Sequence, residues 1–105
     1  MTDIATLNDN FRKSFIGGQV LLTAGIAAMS SEDKANIISM VQNFNDFTED
    51  NNVYGERDFG SFDYKGEKIL WKIDYYDLNN QYHSENPANP DINNRILTIM
   101  TVFEW

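Results

Sequence analysis

The sequence contains no cysteine, a single histidine (His83) and only two prolines, Pro87 and Pro90. Without thiols there can be no disulfide, thiolate metal site or cysteine nucleophile, and the composition fits a reducing cytoplasm. His83 stands beside Tyr82, Ser84 and Glu85, but no G-x-S-x-G elbow accompanies it, so no nucleophilic triad is legible. Basic residues are scarce as well. Eight Lys and Arg face sixteen Asp and Glu, for a formal charge of −8 and a pI near 4.3. That balance argues against direct binding to nucleic acid or an anionic membrane, both of which require basic patches, and favours a protein partner with a basic surface. Long hydrophobic runs are missing too. The longest apolar stretch, residues 20–29, is broken by Thr23 and Gly25 and is far too short to span a bilayer. The opening Met1-Thr2-Asp3 lacks the basic start of a signal peptide, so a cytoplasmic protein is expected.

The chain has 105 residues, 42% of them hydrophobic and 13% aromatic, which suits one domain spanning residues 1–105. Its organising stretch is residues 57–77, read as two strands joined at Lys65-Gly66. A two-residue loop there makes facing residue numbers sum to a constant, and glycine in its second position suits a type I′ turn. The register sets Phe62 against Ile69 and Gly60 against Trp71, with Ile73 and Tyr75 continuing a buried row. On the other face it sets Asp63 against Lys68, Phe59 against Lys72 and Arg57 against Asp74. A slip of one residue would turn Trp71 outward. Gly60 is explained if the Trp71 indole covers it.

Upstream, Thr2 or Asp3 can cap a first helix with Ile4, Leu7, Phe11 and Phe15 on its apolar stripe and Asn8, Arg12 and Lys13 outward, ended by Gly17-Gly18. Residues 19–26 read as a strand interior to the sheet or covered on both faces. Ser30-Ser31-Glu32-Asp33 starts a second helix running to about Phe47, with Ala35, Ile38, Val41 and Phe44 inward, widened by Ile37, Met40 and Phe47. Residues 78–94 form a long loop. Residues 95–105 read as a central strand, apolar on both faces, so removal of Phe103-Glu104-Trp105 should be badly tolerated. The expected fold is α+β, a four-stranded antiparallel sheet with two helices packed on one face.

Residues 48–56 are polar and acidic. As an EF-hand begun at Asp50, the segment places Asn52 and Gly55 acceptably but fails at Tyr54 and at Ser61, where a bidentate glutamate belongs. A solvated loop is the simpler reading, and no cofactor or resident metal is expected.

One set of motifs reaches beyond these patterns: Leu22-Thr23-Ala24-Gly25, Asp58-Phe59-Gly60, Trp71-Lys72-Ile73-Asp74-Tyr75-Tyr76-Asp77, Asn86-Pro87-Ala88-Asn89-Pro90 and Arg95-Ile96-Leu97-Thr98-Ile99-Met100. Together they resemble a family of short proteobacterial proteins, often plasmid-borne, catalogued as a domain of unknown function. The resemblance implies a mobile-element setting and no catalytic assignment. This chain departs from the family pattern at Val53, where proline is usual, and at Arg57, where histidine is usual.

The leading functional expectation is a non-enzymatic, acidic protein-binding module. It would act as a mobile-element inhibitor of a CRISPR effector or restriction complex, its carboxylates competing with phosphates for a basic groove. The candidate contacts are Glu49, Asp50, Glu56, Asp58, Asp74 and Asp77, with Tyr76 as an aromatic anchor. One alternative is a carboxylate-metal hydrolase using Asp46, Glu49, Asp50, Glu56 and Asp58. The other is a non-catalytic accessory protein that forms a homodimer or larger homo-oligomer through the uncovered face of the sheet.

Overall fold

The turn at Lys65-Gly66 has φ of 50° and 82°, both left-handed as a type I′ turn demands. It joins β2 (Phe59–Tyr64) to β3 (Glu67–Asp77) in the expected register, with Gly60 opposite Trp71 and Phe62 opposite Ile69. A Cβ placed on Gly60 would come within 2.5 Å of the Trp71 indole nitrogen and 2.7 Å of the Phe44 ring, so the strand tolerates only glycine there without repacking.

The computed structural model describes residues 3–48, 50, 52, 55–77 and 93–105. Before the hairpin lie α1 (Ile4–Ser14), β1 (Gly18–Leu22), the short α2 (Ala24–Ala27) and α3 (Ser31–Gln42); after it come β4 (Asn93–Thr101) and a 3₁₀ turn, Val102–Glu104. Asp3 caps α1 by accepting from the Thr6 amide at 2.7 Å, and Ser30 caps α3 by accepting from the Asp33 amide at 3.0 Å. The loop expected at residues 78–94 falls almost wholly outside the described residues, and His83, Pro87 and Pro90 with it.

The α+β class stands, but the sheet is mixed. Its order is β1-β4-β3-β2, with β1 parallel to β4 and the other pairs antiparallel. The central placement of β4 agrees with its two apolar faces. Three α-helices rather than two are present among the described residues. The extra one arises because the apolar stretch expected as a strand to residue 26 breaks at Thr23. There the chain coils into one helical turn that drives Ile26 fully into the core. β1 itself is an edge strand, not an interior one.

One core lies between the helices and a face of the sheet: Phe11, Ile26, Ile37, Val41 and Phe44 pack on Ile69, Trp71, Ile73, Tyr75, Leu97 and Ile99. The α3 stripe is rotated from the expected one, with Ile37 and Val41 inward and Ala35 and Met40 exposed, and the helix stops at Gln42. A second correction concerns α1. Asn8 and Arg12, expected to face solvent, are fully buried. The last strand ends at Thr101, four residues before the expected limit, because Glu104 folds back. Its carboxylate accepts from the Thr23 hydroxyl at 2.6 Å, the Gly25 amide at 2.8 Å and the Thr101 amide at 3.0 Å. On the second face of the sheet, Leu70, Ile96 and Met100 are buried, and Trp105 packs its ring 5.3 Å from that of Phe59. The face expected to be uncovered is therefore partly covered by the chain's own end.

Candidate functional site

The candidate contacts divide on the folded chain. Glu49 lies outside the described residues, and so does the side chain of Asp77, whose backbone closes β3 opposite Asn93. Asp50 is exposed in the loop before β2, and Tyr76 is half-buried on β3. Glu56, Asp58 and Asp74 are brought to one corner, where the chain enters β2. The Ile73 amide donates to the Asp58 carbonyl at 2.8 Å and draws that residue against β3. Burial, and secondarily the negative charge of Asp74, raise the Asp58 carboxyl above its ordinary pKa. Asp74 is ion-paired at 3.3 Å with Lys72 on its own strand.

The expected facing of Arg57 and Asp74 is not formed, because β2 begins at Phe59. Arg57 adopts a left-handed φ of 56°, which directs its guanidinium to Asp9 of α1. It contacts that carboxylate at 3.0 Å, donates to the Asn45 side chain at 3.1 Å and lies 4.2 Å from the Phe47 ring centroid. Among the described residues no three Asp, Glu or His side chains group to hold an ion, and Glu49, the remaining member of the carboxylate set of the hydrolase alternative, lies outside them.

Beneath the corner runs a polar spine that the sequence reading missed. The Asn8 side chain donates to the Tyr75 hydroxyl at 2.7 Å and to the Glu56 carbonyl at 2.9 Å, while its oxygen accepts from Arg95 Nε at 2.9 Å. One turn on, Arg12 donates to the Val41 carbonyl at 3.1 Å and the Phe44 carbonyl at 2.9 Å, and it pairs with Asp9 at 2.9 Å. These bonds tie α1 to the C-terminal end of α3, where the Val41 carbonyl accepts from Arg12 as well as from the Phe44 amide and the Phe44 carbonyl lies just beyond the helix. Burial pushes the Tyr75 phenol up and pulls the Arg95 guanidinium down from their ordinary pKa values. The signal was present in the helix period: Ile4, Asn8, Phe11, Arg12 and Phe15 share one stripe, and residue type argued two of them outward.

This interior network changes the surface. Arg12 and Arg95 are buried, while Arg57, Lys65 and Lys72 are held by Asp9, Asp33 and Asp74. Cations on the described residues are thus largely spent inside or in pairs, in a chain that carries sixteen Asp and Glu against eight Lys and Arg. An open cleft of about 510 Å³ lies between the end of α3 and the hairpin, and none of Glu56, Asp58 and Asp74 lines it. Met40, Phe44 and Phe62 give it apolar walls, and Asp46, Asp63 and Lys68 stand among its polar lining. Such a cleft can take the aliphatic stem of a lysine or arginine and present a carboxylate to its head.

No curated protein and no solved structure matches the chain. Residues 22–104 match a family described as a protein of unknown function, DUF3768, a span that holds the hairpin, β4, α3 and the Glu104 clasp while leaving α1 outside. The chain belongs to the DUF3768 family.

Proposed function

We propose that this protein is a small acidic module that binds a basic surface on a protein partner and carries out no chemistry of its own. The observation that carries the reading is the sequestration of cations. Two arginines are buried and three further cations are paired within the fold, so a chain of net charge −8 presents mostly carboxylate outward. A field of that sign speeds encounter with Lys- and Arg-rich surfaces and repels nucleic acid. Asp50, Glu56, Asp58 and Asp74, with Tyr76, are the contacts we assign on the described residues; Glu49 and Asp77 complete the set. The cleft lined by Asp46 and Asp63 receives a basic side chain of the partner.

The partner class this chemistry fits is a nucleic-acid-handling complex whose basic groove ordinarily holds phosphates. Occupying that groove would make the protein an anti-CRISPR or anti-restriction inhibitor, in keeping with the mobile-element setting that the family resemblance implies. The test is affinity capture of the tagged protein from a bacterial lysate at low and moderate salt, with mass spectrometry of what is retained. A basic complex held at low salt, released as salt rises, and stripped of its nucleic acid by added protein is expected. An empty capture at low salt, or a partner whose retention ignores salt, would overturn the reading.

A further inference from the structure

β1 is an edge without the devices that guard edges. Gly18-Gln19-Val20-Leu21-Leu22 contains no charge, no proline and no bulge against β4. It lies within residues 14–31, the longest uncharged stretch of this acidic chain. Ile16 just before the strand is 79% exposed and Leu21 within it 48%. The Glu104 clasp ties the C-terminal turn, which carries the 90%-exposed Phe103, to Thr23 and Gly25 just beyond the strand. Among the described residues no strand pairs with the outer side of β1. The opposite edge, β2, carries Asp63 and is flanked by Asp58, so it is guarded by charge.

We propose that β1 pairs with β1 of a second copy of this chain, antiparallel across a two-fold axis, to form a continuous eight-stranded sheet. The occupant follows from charge. Two copies of net charge −8 repel almost everywhere, and this uncharged edge with its exposed apolar side chains is where they can approach. A basic partner is drawn instead to the carboxylate surfaces. The symmetry follows from geometry, because an isologous contact between identical edges of one sheet must be antiparallel.

The register can also be derived. Thr23 donates its amide to the Ile99 carbonyl, so by alternation Gln19 and Leu21 direct their backbone groups toward β4, and Gly18, Val20 and Leu22 direct theirs outward. Placing Val20 opposite Val20 of the partner copy satisfies all the outward groups, pairs Gly18 with Leu22, and sets Gln19 of each chain against Leu21 of the other.

Two substitutions test this register, because Gln19 and Leu21 are both exposed and need not disturb the core. In light scattering after size exclusion the protein should have twice its chain mass of 12.1 kDa. Gln19→Glu with Leu21→Glu sets like charges face to face and should give a monomer with an unchanged circular dichroism spectrum. Gln19→Lys with Leu21→Glu sets opposite charges face to face and should restore the dimer. Amides of Val20 and Leu22 should be protected from hydrogen exchange in the dimer and should lose that protection in the double-Glu variant. A wild-type monomer at millimolar concentration, a dimer that survives double-Glu substitution, or failure of the Lys/Glu variant to dimerise would overturn the proposal. This self-association uses a different surface from the basic-partner site, and neither result depends on the other.

Discussion

The guanidinium of Arg12 stands 5.2 Å from the ring centroid of Trp71, buried between α1, the end of α3 and the sheet. The contact joins the first helix to the strand that organises the hairpin, and Phe47 lies within 5.4 Å of the same guanidinium. Arg12 also carries hydrogen bonds from α1 to the end of α3. Replacing it by Ala would remove the donor to the Phe44 carbonyl, break the pair with Asp9 and open a cavity under Trp71. Urea unfolding should show a loss of ~3–5 kcal/mol. Arg12→Lys should recover little of this, since one ammonium cannot reproduce the fork geometry.

Gly60 and Trp71 form a second inseparable pair. Gly60→Ala would push a methyl into the indole and the Phe44 ring, at ~1–3 kcal/mol in thermal or urea unfolding. Tryptophan fluorescence should shift with it, because the Trp71 indole N–H is buried without a hydrogen-bond partner among the described residues and is sensitive to any opening of that packing.

Glu104 gives an acid-sensitive clasp. Hydrogen bonds from Thr23, then from the Gly25 and Thr101 amides, hold its carboxyl down to about 2. A carboxylate whose folded pKa is depressed contributes stability above its unfolded pKa and loses it as pH falls toward the folded one. Acid titration should therefore release the C-terminal turn between about pH 5 and pH 2. Glu104→Gln should lower the melting temperature at neutral pH and flatten that part of the profile. Deleting Phe103-Glu104-Trp105 should be worse still, for loss of the clasp and of the Trp105–Phe59 contact.

Asp58 should behave in the opposite sense. Its folded pKa is raised, so the stability associated with its neutral form is present at acid pH and lost as pH rises through the folded value. Asp58→Asn should raise the melting temperature at neutral pH and leave it unchanged below about pH 3. If Asp58 contacts a basic partner, the same variant should also weaken capture. Greater stability with poorer binding is the pattern of a residue retained for function.

Local chemistry determined the hairpin down to its register. Lys65-Gly66, the glycine opposite Trp71 and the alternation of apolar residues all act between near neighbours, and one slip inverts every side chain. The serine cap of α3 was legible for the same reason, the cap of α1 was narrowed to Thr2 or Asp3, and the central place of β4 followed from its two apolar faces. The parallel pairing of β1 was not, since Gly18-Gln19-Val20-Leu21-Leu22 carries no mark of direction and its partner lies more than seventy residues away. Nor was the burial of Asn8 and Arg12. A buried arginine is stable only where carbonyls and rings converge on it from other elements, here Val41, Phe44, Phe47 and Trp71. The acidic balance of the chain was plain from composition alone. Which charges face outward was decided by tertiary structure, because only the assembled fold could draw so many cations inside or into pairs.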